Sequence, residues 1–286
     1  MEVKSKPLVL NTSLINYLIL GLIAVLYVPI LIHWVDGWLN KTIGIEHEYF
    51  SHALLGFPLA TYIVWQKRHQ WQQLPDTINP WGGVCLLIAA WSYSTGVPDF
   101  VSFSFALMLT GICLWLKGLP GLRLQAFPLV LLWLGTPNFI PYLLTPYTFW
   151  LQRFIAISIG FILYLFGFDI EVQTIYVSIN GQLIEVAPYC AGLKMLFTSI
   201  YVALMLLYWR NKLNSKTITI LLLTGTVLIN LIGNIVRNTL LAMFSGIQQQ
   251  DLFDLLHEGW WGDIYSGLTL VLIFLLLKGI ERLEIS

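Results

Sequence analysis

Ile179-Asn-Gly-Gln-Leu-Ile-Glu-Val-Ala-Pro-Tyr-Cys190-Ala-Gly-Leu-Lys194 is where the chain changes character, and its reading decides the fold. Asn180-Gly181 signals a two-residue hairpin turn, because a type I′ turn needs positive φ at both central positions. Alternating residues flank it, Ile170, Val172 and Thr174 before and Leu183, Glu185 and Ala187 after, the period of a strand. Pro188 then fits the first turn of a helix, where its missing N–H is no loss. From Tyr189 to Trp209 the chain is almost wholly apolar. The spacing predicts a β-hairpin that feeds a membrane helix, with Cys190 in the first turn of that helix. Unpaired N–H groups there carry a partial positive charge that favours thiolate over thiol. The plainer reading is a small apolar side chain packed in a bilayer. A position at a helix start, beside a polar hairpin, argues against it.

Working outward, the 286 residues are 57% hydrophobic and 10% charged. Runs of about 20 apolar residues, the length a helix needs to cross hydrocarbon, recur along the whole chain. This composition excludes a soluble globular domain. With 15 basic and 15 acidic residues, it also gives no basic surface for nucleic acid. Three cysteines make no disulfide framework, and Cys85 and Cys113 lie inside apolar runs as packing residues. Lys4 and Lys6 precede the first apolar run and no small-residue cleavage site follows it, so an uncleaved span is expected there. The expected fold is all-α and polytopic, a single integral membrane domain over 1–286 with a small extracytoplasmic β-hairpin.

Expected spans run from Leu14 to Trp34, His52 to Gln66, Trp81 to Val97, Val101 to Leu116, Tyr147 to Phe166, Tyr189 to Trp209, Thr217 to Phe244 and Gly262 to Leu277. The positive-inside rule orients them. Lys4 and Lys6, Lys67 and Arg68, Lys117 and Arg123, and the basic loop with Arg210, Lys212 and Lys216 all belong in the cytoplasm. Glu46 and Glu48 lie in an outer loop. Parity then puts the Asn180-Gly181 hairpin outside. It also requires Leu124–Pro146, broken by Pro137, Pro141 and Pro146, to enter and leave on one side as a re-entrant or broken helical pair. The count is eight crossings, with both termini cytoplasmic.

Asn230, Asn234 and Arg237 follow i, i+4, i+7 and share one helical face, with Asn238 beside them. A charge inside a membrane segment is costly and usually faces a cavity or a partner. Arg237 either snorkels to the headgroups or joins a polar interior face, and the three amides favour the interior. The outer loop after this span carries His257. Orientation by charge thus brings Cys190, Arg237 and His257 to one level at the outer ends of three consecutive spans. A thiol, an imidazole and a guanidinium are the parts of a cysteine acyl-transfer site: the thiolate attacks a carbonyl, histidine manages the proton, and arginine stabilises the anion. Glu185 either orients His257 or only lines the hairpin. His47 and His52 with Glu46 and Glu48 are too loosely spaced for a metal site, so His52 reads as substrate positioning or interface polarity. No cofactor is expected.

These residues also carry a resemblance. Ala187-Pro-Tyr-Cys190-Ala-Gly-Leu-Lys194 resembles the cysteine motif of the exosortase/archaeosortase family, and Asn234-Ile-Val-Arg237 its Asn-x-x-Arg motif. His257 is placed like that family's downstream histidine. Tyr49-Phe-Ser-His52-Ala through Trp65-Gln-Lys-Arg68 is similar to its early segment. Ala191 and Lys194 depart from the usual Ser and Arg of the motif. The Ala-Gly-Leu-Lys-Met-Leu-Phe wording most resembles the cyanobacterial branch, the cyanoexosortases. The resemblance implies a membrane cysteine protease/transpeptidase of the plasma membrane that cuts C-terminal sorting signals of the PEP-CTERM type outside the membrane. Its partners would be the sorting-signal helices of exported proteins and an acceptor, such as a surface glycan or lipid. The rival readings are a transporter, which would show paired broken helices in two halves, and an assembly protein in which Cys190 only packs.

Overall fold

The computed structural model describes residues 12–40, 49–257 and 260–285. Two compact units divide the chain, 1–44 and 45–286. In the first, α1 (Thr12–Asn40) is a 29-residue helix with Pro29 inside it, longer at both ends than the expected span. Trp34 and Trp38 stand one turn apart on it, their ring centroids 6.1 Å from each other.

The second unit is helical apart from one small sheet. Its order is α2 (Ala53–Gln66), α3 (Arg68–Gln73), α4 (Pro80–Ser94), α5 (Pro98–Leu124), α6 (Ala126–Gly135), α7 (Ile140–Leu165), three strands, a 3-10 turn (Pro188–Ala191), α8 (Leu193–Trp209), α9 (Lys216–Gly246), α10 (Gln250–His257) and α11 (Trp260–Ile285). Among the described residues, Pro98–Leu124, Pro146–Leu165, Lys216–Gly246 and Trp260–Leu283 are long and apolar enough to cross a membrane; Ala53–Gln66, Ala126–Gly135 and Leu193–Trp209 are apolar but shorter. Local chemistry sets the starts. Pro80 and Pro98 open α4 and α5, where no donor is needed. The Asn79 side chain accepts from the Trp81 N–H, and that of Ser215 from the Ile218 N–H, capping α4 and α9. The α4 and α5 backbones touch at Gly82, where an added Cβ would lie 2.4 Å from the Trp115 amide nitrogen. Small residues allow this close approach between helices that hydrophobic force alone would not join in lipid.

Helix α8 orders the rest. On one side Ala203 and Leu207 pack with Ile218 and Leu222 of α9 and Ile273 and Leu277 of α11. On another, Tyr201 packs with Ala60 and Ile63 of α2 and Leu131 of α6. The broken segment climbs along this axis. Phe127 stacks on Tyr208 at 4.3 Å near the Trp209 end. Two turns further up, the Tyr201 hydroxyl donates to the Leu131 carbonyl at 2.9 Å. Beyond the break, Gln152 of α7 donates to the Val186 carbonyl at 2.7 Å, just before the Cys190 turn. A break is present, at Thr136-Pro-Asn-Phe139, where the Asn138 side chain accepts from the Ile140 N–H at 2.9 Å and starts α7. Of the re-entrant or broken pair expected over Leu124–Pro146, the break is present, and α6 and α7 follow one another across it. Proline marks an interruption without encoding the direction in which the chain resumes.

The expected hairpin is the second half of a three-stranded antiparallel meander, β1 (Ile170–Gln173), β2 (Tyr176–Ile179) and β3 (Gln182–Glu185), in the order β1-β2-β3. Asn180 and Gly181 have φ of +50° and +84°, as a type I′ turn requires. Val172 lies opposite Val177, and Val177 opposite Ile184, so one face is apolar. That face packs on Ile155, Ile159 and Leu163 of α7 and Ala242 of α9. It fixes the sheet beside the turn that carries Cys190.

Candidate active site

Cys190 does not lie in the first turn of the long helix. It lies in the separate Pro188–Ala191 turn, and Gly192, at φ +82°, reverses the chain before α8 begins at Leu193. An L side chain at that φ is strained, so the Cys-Ala-Gly order ends one short helix and begins another. The Cys190 N–H donates to the Ala187 carbonyl at 2.9 Å. The Cys190 carbonyl accepts from two amides of α9, Asn234 Nδ2 and Asn238 Nδ2, each at 3.0 Å. Asn238 also donates to the Asn234 carbonyl at 2.8 Å.

The polar stripe expected on α9 is interior. Asn230, Asn234 and Asn238 are all buried. Asn230 accepts from the Ser199 hydroxyl of α8 at 3.1 Å and donates to the Thr226 carbonyl at 2.9 Å. Arg237 is half-buried, and its Nη2 donates to the His257 carbonyl at 3.2 Å. His257 ends α10, with its ring stacked on Phe253 at 5.3 Å. The guanidinium also acts electrostatically on the Cys190 thiol and the Tyr265 hydroxyl. Arg237 is thus the shared neighbour of the Cys190 turn, the end of α10 and the start of α11.

Burial pushes the Cys190 thiol up from its ordinary value, while the Arg237 charge and a backbone hydrogen bond at Ala187 pull it down and the Glu185 carboxylate adds an upward push. Burial wins, so the resting group is the thiol. The thiolate expected from a helix N-terminus depended on a helical placement that Cys190 does not have. Glu185 lies on the outward face of β3, within electrostatic reach of the sulfur.

His52 belongs to another place. It is buried at the start of α2, its Nε2 donates to the Leu134 carbonyl at 3.1 Å, and its ring lies 4.4 Å from that of Tyr201. It borders a cavity of about 90 Å³ with Asn138, Trp133, Phe197 and Tyr201, opened by the α6–α7 break. Glu46, His47 and Glu48 lie outside the described residues. Among the described residues no three His, Cys, Asp or Glu side chains gather as a metal site. Sequence reasoning missed two participants. Tyr265 carries no motif, yet its hydroxyl reaches the backbone at Gly233, where an added Cβ would lie 2.7 Å from it. Gln152, buttressing Val186, sits in an apolar helix, and its polarity there was the available signal.

Residues 34–279 match the model of the transmembrane exosortase family. No curated protein and no solved structure matches the chain.

Proposed function

The chain belongs to the transmembrane exosortase family, and from that premise we propose that it is a membrane cysteine peptidase or transpeptidase acting on C-terminal sorting signals of the PEP-CTERM type. The observation that carries this reading is the position of Arg237, bonded to the His257 carbonyl and acting on the Cys190 thiol. His257 takes the thiol proton as substrate arrives. Cys190 Sγ attacks the scissile carbonyl carbon, and Arg237 stabilises the developing oxyanion in surroundings poor in screening water. The C–N bond then breaks, the leaving amine takes the proton from His257, and the upstream product remains as a thioester. Water, or an amine or hydroxyl of a surface glycan or lipid acceptor, attacks that thioester and releases the Cys190 sulfur. A buried resting thiol makes the base necessary, which fits a histidine in the set.

The same reading sets the chain in the plasma membrane with the Cys190 turn outside. The charge pattern supports eight crossings, with α6 and α7 counted together as one, and both termini inside. Burial of the thiol also favours a second reading, in which Cys190 only packs and the protein serves envelope transport or assembly. Co-expression with a tagged protein bearing a candidate sorting helix separates the two. Wild type shortens the tagged protein on a gel, and Cys190→Ala, Arg237→Ala and His257→Ala at normal abundance do not. Processing by Cys190→Ala would overturn the cysteine mechanism.

A further inference from the structure

Three hydrogen bonds tie two buried amides to the main chain beside the thiol. Asn238 Nδ2 donates to the Asn234 carbonyl of its own helix at 2.8 Å and to the Cys190 carbonyl at 3.0 Å. Both amide hydrogens are therefore committed, and the flipped amide would set its oxygen against two carbonyl oxygens. Asn234 Nδ2 fills the second acceptor position of the Cys190 carbonyl, also at 3.0 Å. A carbonyl has two lone pairs, and here both are filled from α9. The turn so held has little rigidity of its own, being four residues of 3-10 helix ended by a left-handed glycine. The Asn234 amide also fills the space beside that glycine, with its Cγ 2.7 Å from where a Cβ would stand. Arg237 precedes Asn238 directly in the chain, so the clamp and the cation share one stretch of helix.

We propose that Asn238, together with Asn234, is a positioning residue that holds the Cys190 main chain at a set distance from the Arg237 guanidinium. Coulomb attraction falls as the inverse of separation, so the amide pair governs how strongly the cation acts on the sulfur. Another charged group near the thiol is Glu185 of β3, opposite in sign, and Arg237 itself is held by the His257 carbonyl. The inference deepens the reading of Cys190 as the nucleophile, but its test reads the thiol directly and needs no substrate. Failure of proteolysis and failure of the clamp are therefore separate results.

The experiment measures the pH profile of Cys190 alkylation by iodoacetamide in full-length protein in liposomes, with Cys85 and Cys113 changed to Ala. With the clamp intact, Arg237→Gln slows alkylation at pH 8 by about tenfold, the equivalent of one unit in thiol pKa. In the Asn238→Ala background the same exchange slows it by no more than about twofold, because the cation has already lost its hold on the sulfur. Asn238→Gln, which keeps an amide one methylene further out, gives an intermediate value and serves if the alanine variant does not fold. Asn230→Ala is the control for general loosening. It removes a buried amide of the same stripe that bonds Ser199 and Thr226 and not Cys190, and it retains the full effect of Arg237→Gln. The clamp is refuted if Asn238→Ala retains that full effect, if Asn230→Ala loses it equally, or if Arg237→Gln does not slow alkylation of the intact site.

Discussion

Gly192 and Gly181 form a matched pair that isolates the contact at the Cys190 turn. Both are left-handed, at φ +82° and +84°, but an added Cβ at Gly181 meets nothing within 4 Å, whereas at Gly192 it would lie 2.7 Å from Asn234 Cγ. Gly181→Ala therefore incurs only the left-handed strain, about 1–2 kcal/mol. Gly192→Ala incurs the same strain and also forces the Asn234 amide aside. Asn234 cannot withdraw without leaving the Cys190 carbonyl, so a hydrogen bond worth about 1 kcal/mol is lost and a buried amide is left poorly satisfied. The total comes to about 2–4 kcal/mol, exceeding the Gly181→Ala loss by about 1–2 kcal/mol. Reversible unfolding of the two variants in mixed micelles measures the difference. Truncating the neighbour supplies the cross-check: in an Asn234→Ala background, Gly192→Ala falls back to about the loss seen for Gly181→Ala, because the overlapping group is gone. Equal losses for the two glycines in the wild-type background would refute the account of the turn.

The close approach of α4 and α5 makes Gly82→Ala destabilising by about 3 kcal/mol or more, since the added Cβ meets backbone that cannot swing away. Gly279→Ala on α11, which meets nothing within 4 Å, is neutral or mildly stabilising in the same unfolding assay. Lys117 donates to the Leu74 carbonyl at 2.7 Å and to Asp76 at 2.6 Å. Lys117→Met lowers stability by about 1–2 kcal/mol through the orphaned carbonyl. Asp76→Asn changes it by less than about 0.5 kcal/mol, because the Asp76 side chain is 87% exposed. For the thiol, the upward shift at Cys190 means that alkylation at pH 7 is slower than that of a free cysteine and climbs into the alkaline range. Glu185→Gln removes an upward push and speeds neutral-pH alkylation by about two- to threefold; slowing on this exchange would show that the carboxylate does not act on the sulfur.

What could be read in the chain divides along physical lines. Helix extents and the Asn180-Gly181 turn depend on local pattern, and both were legible: α9 covers Lys216–Gly246 where Thr217 to Phe244 was expected, and the turn has the two positive φ values that its residues demand. The first strand was legible only as flanking alternation, because its partner is set by a second turn at Thr174-Ile175 that carries no glycine. The direction of α7 after the break was not legible, since it follows from Gln152 finding Val186, a contact 34 residues apart in sequence. Orientation by charge led to the expectation of Arg237 and His257 at one level, and Arg237 Nη2 bonds the His257 carbonyl. His52, expected for substrate positioning or interface polarity, stands at the start of α2 with its ring against that of Tyr201. The exact seat of Cys190 was legible in principle. Gly192, two residues past the cysteine, is the one residue type that can end the short turn at φ +82°, and an unbroken helix would have no use for it there.

That difference of seat alters the chemistry expected of the thiol. In the first turn of α8 the sulfur would have shared the positive end of a helix and rested as a thiolate, open to any electrophile in reach. In the detached turn it is half-buried, burial pushes the thiol up, and Arg237, a positive charge that acts on it, is carried by a different helix. Activation then depends on how three elements sit together: the Cys190 turn, α9 with Arg237, and α10 ending at His257. Each is joined to the next by a backbone carbonyl, the Cys190 carbonyl to the two asparagines and the His257 carbonyl to the guanidinium. Both joints are made to main-chain oxygens, so the scaffold is set through the backbone of the two residues whose side chains the proposed reaction needs. A site built this way holds its geometry while its nucleophile waits in the protonated form.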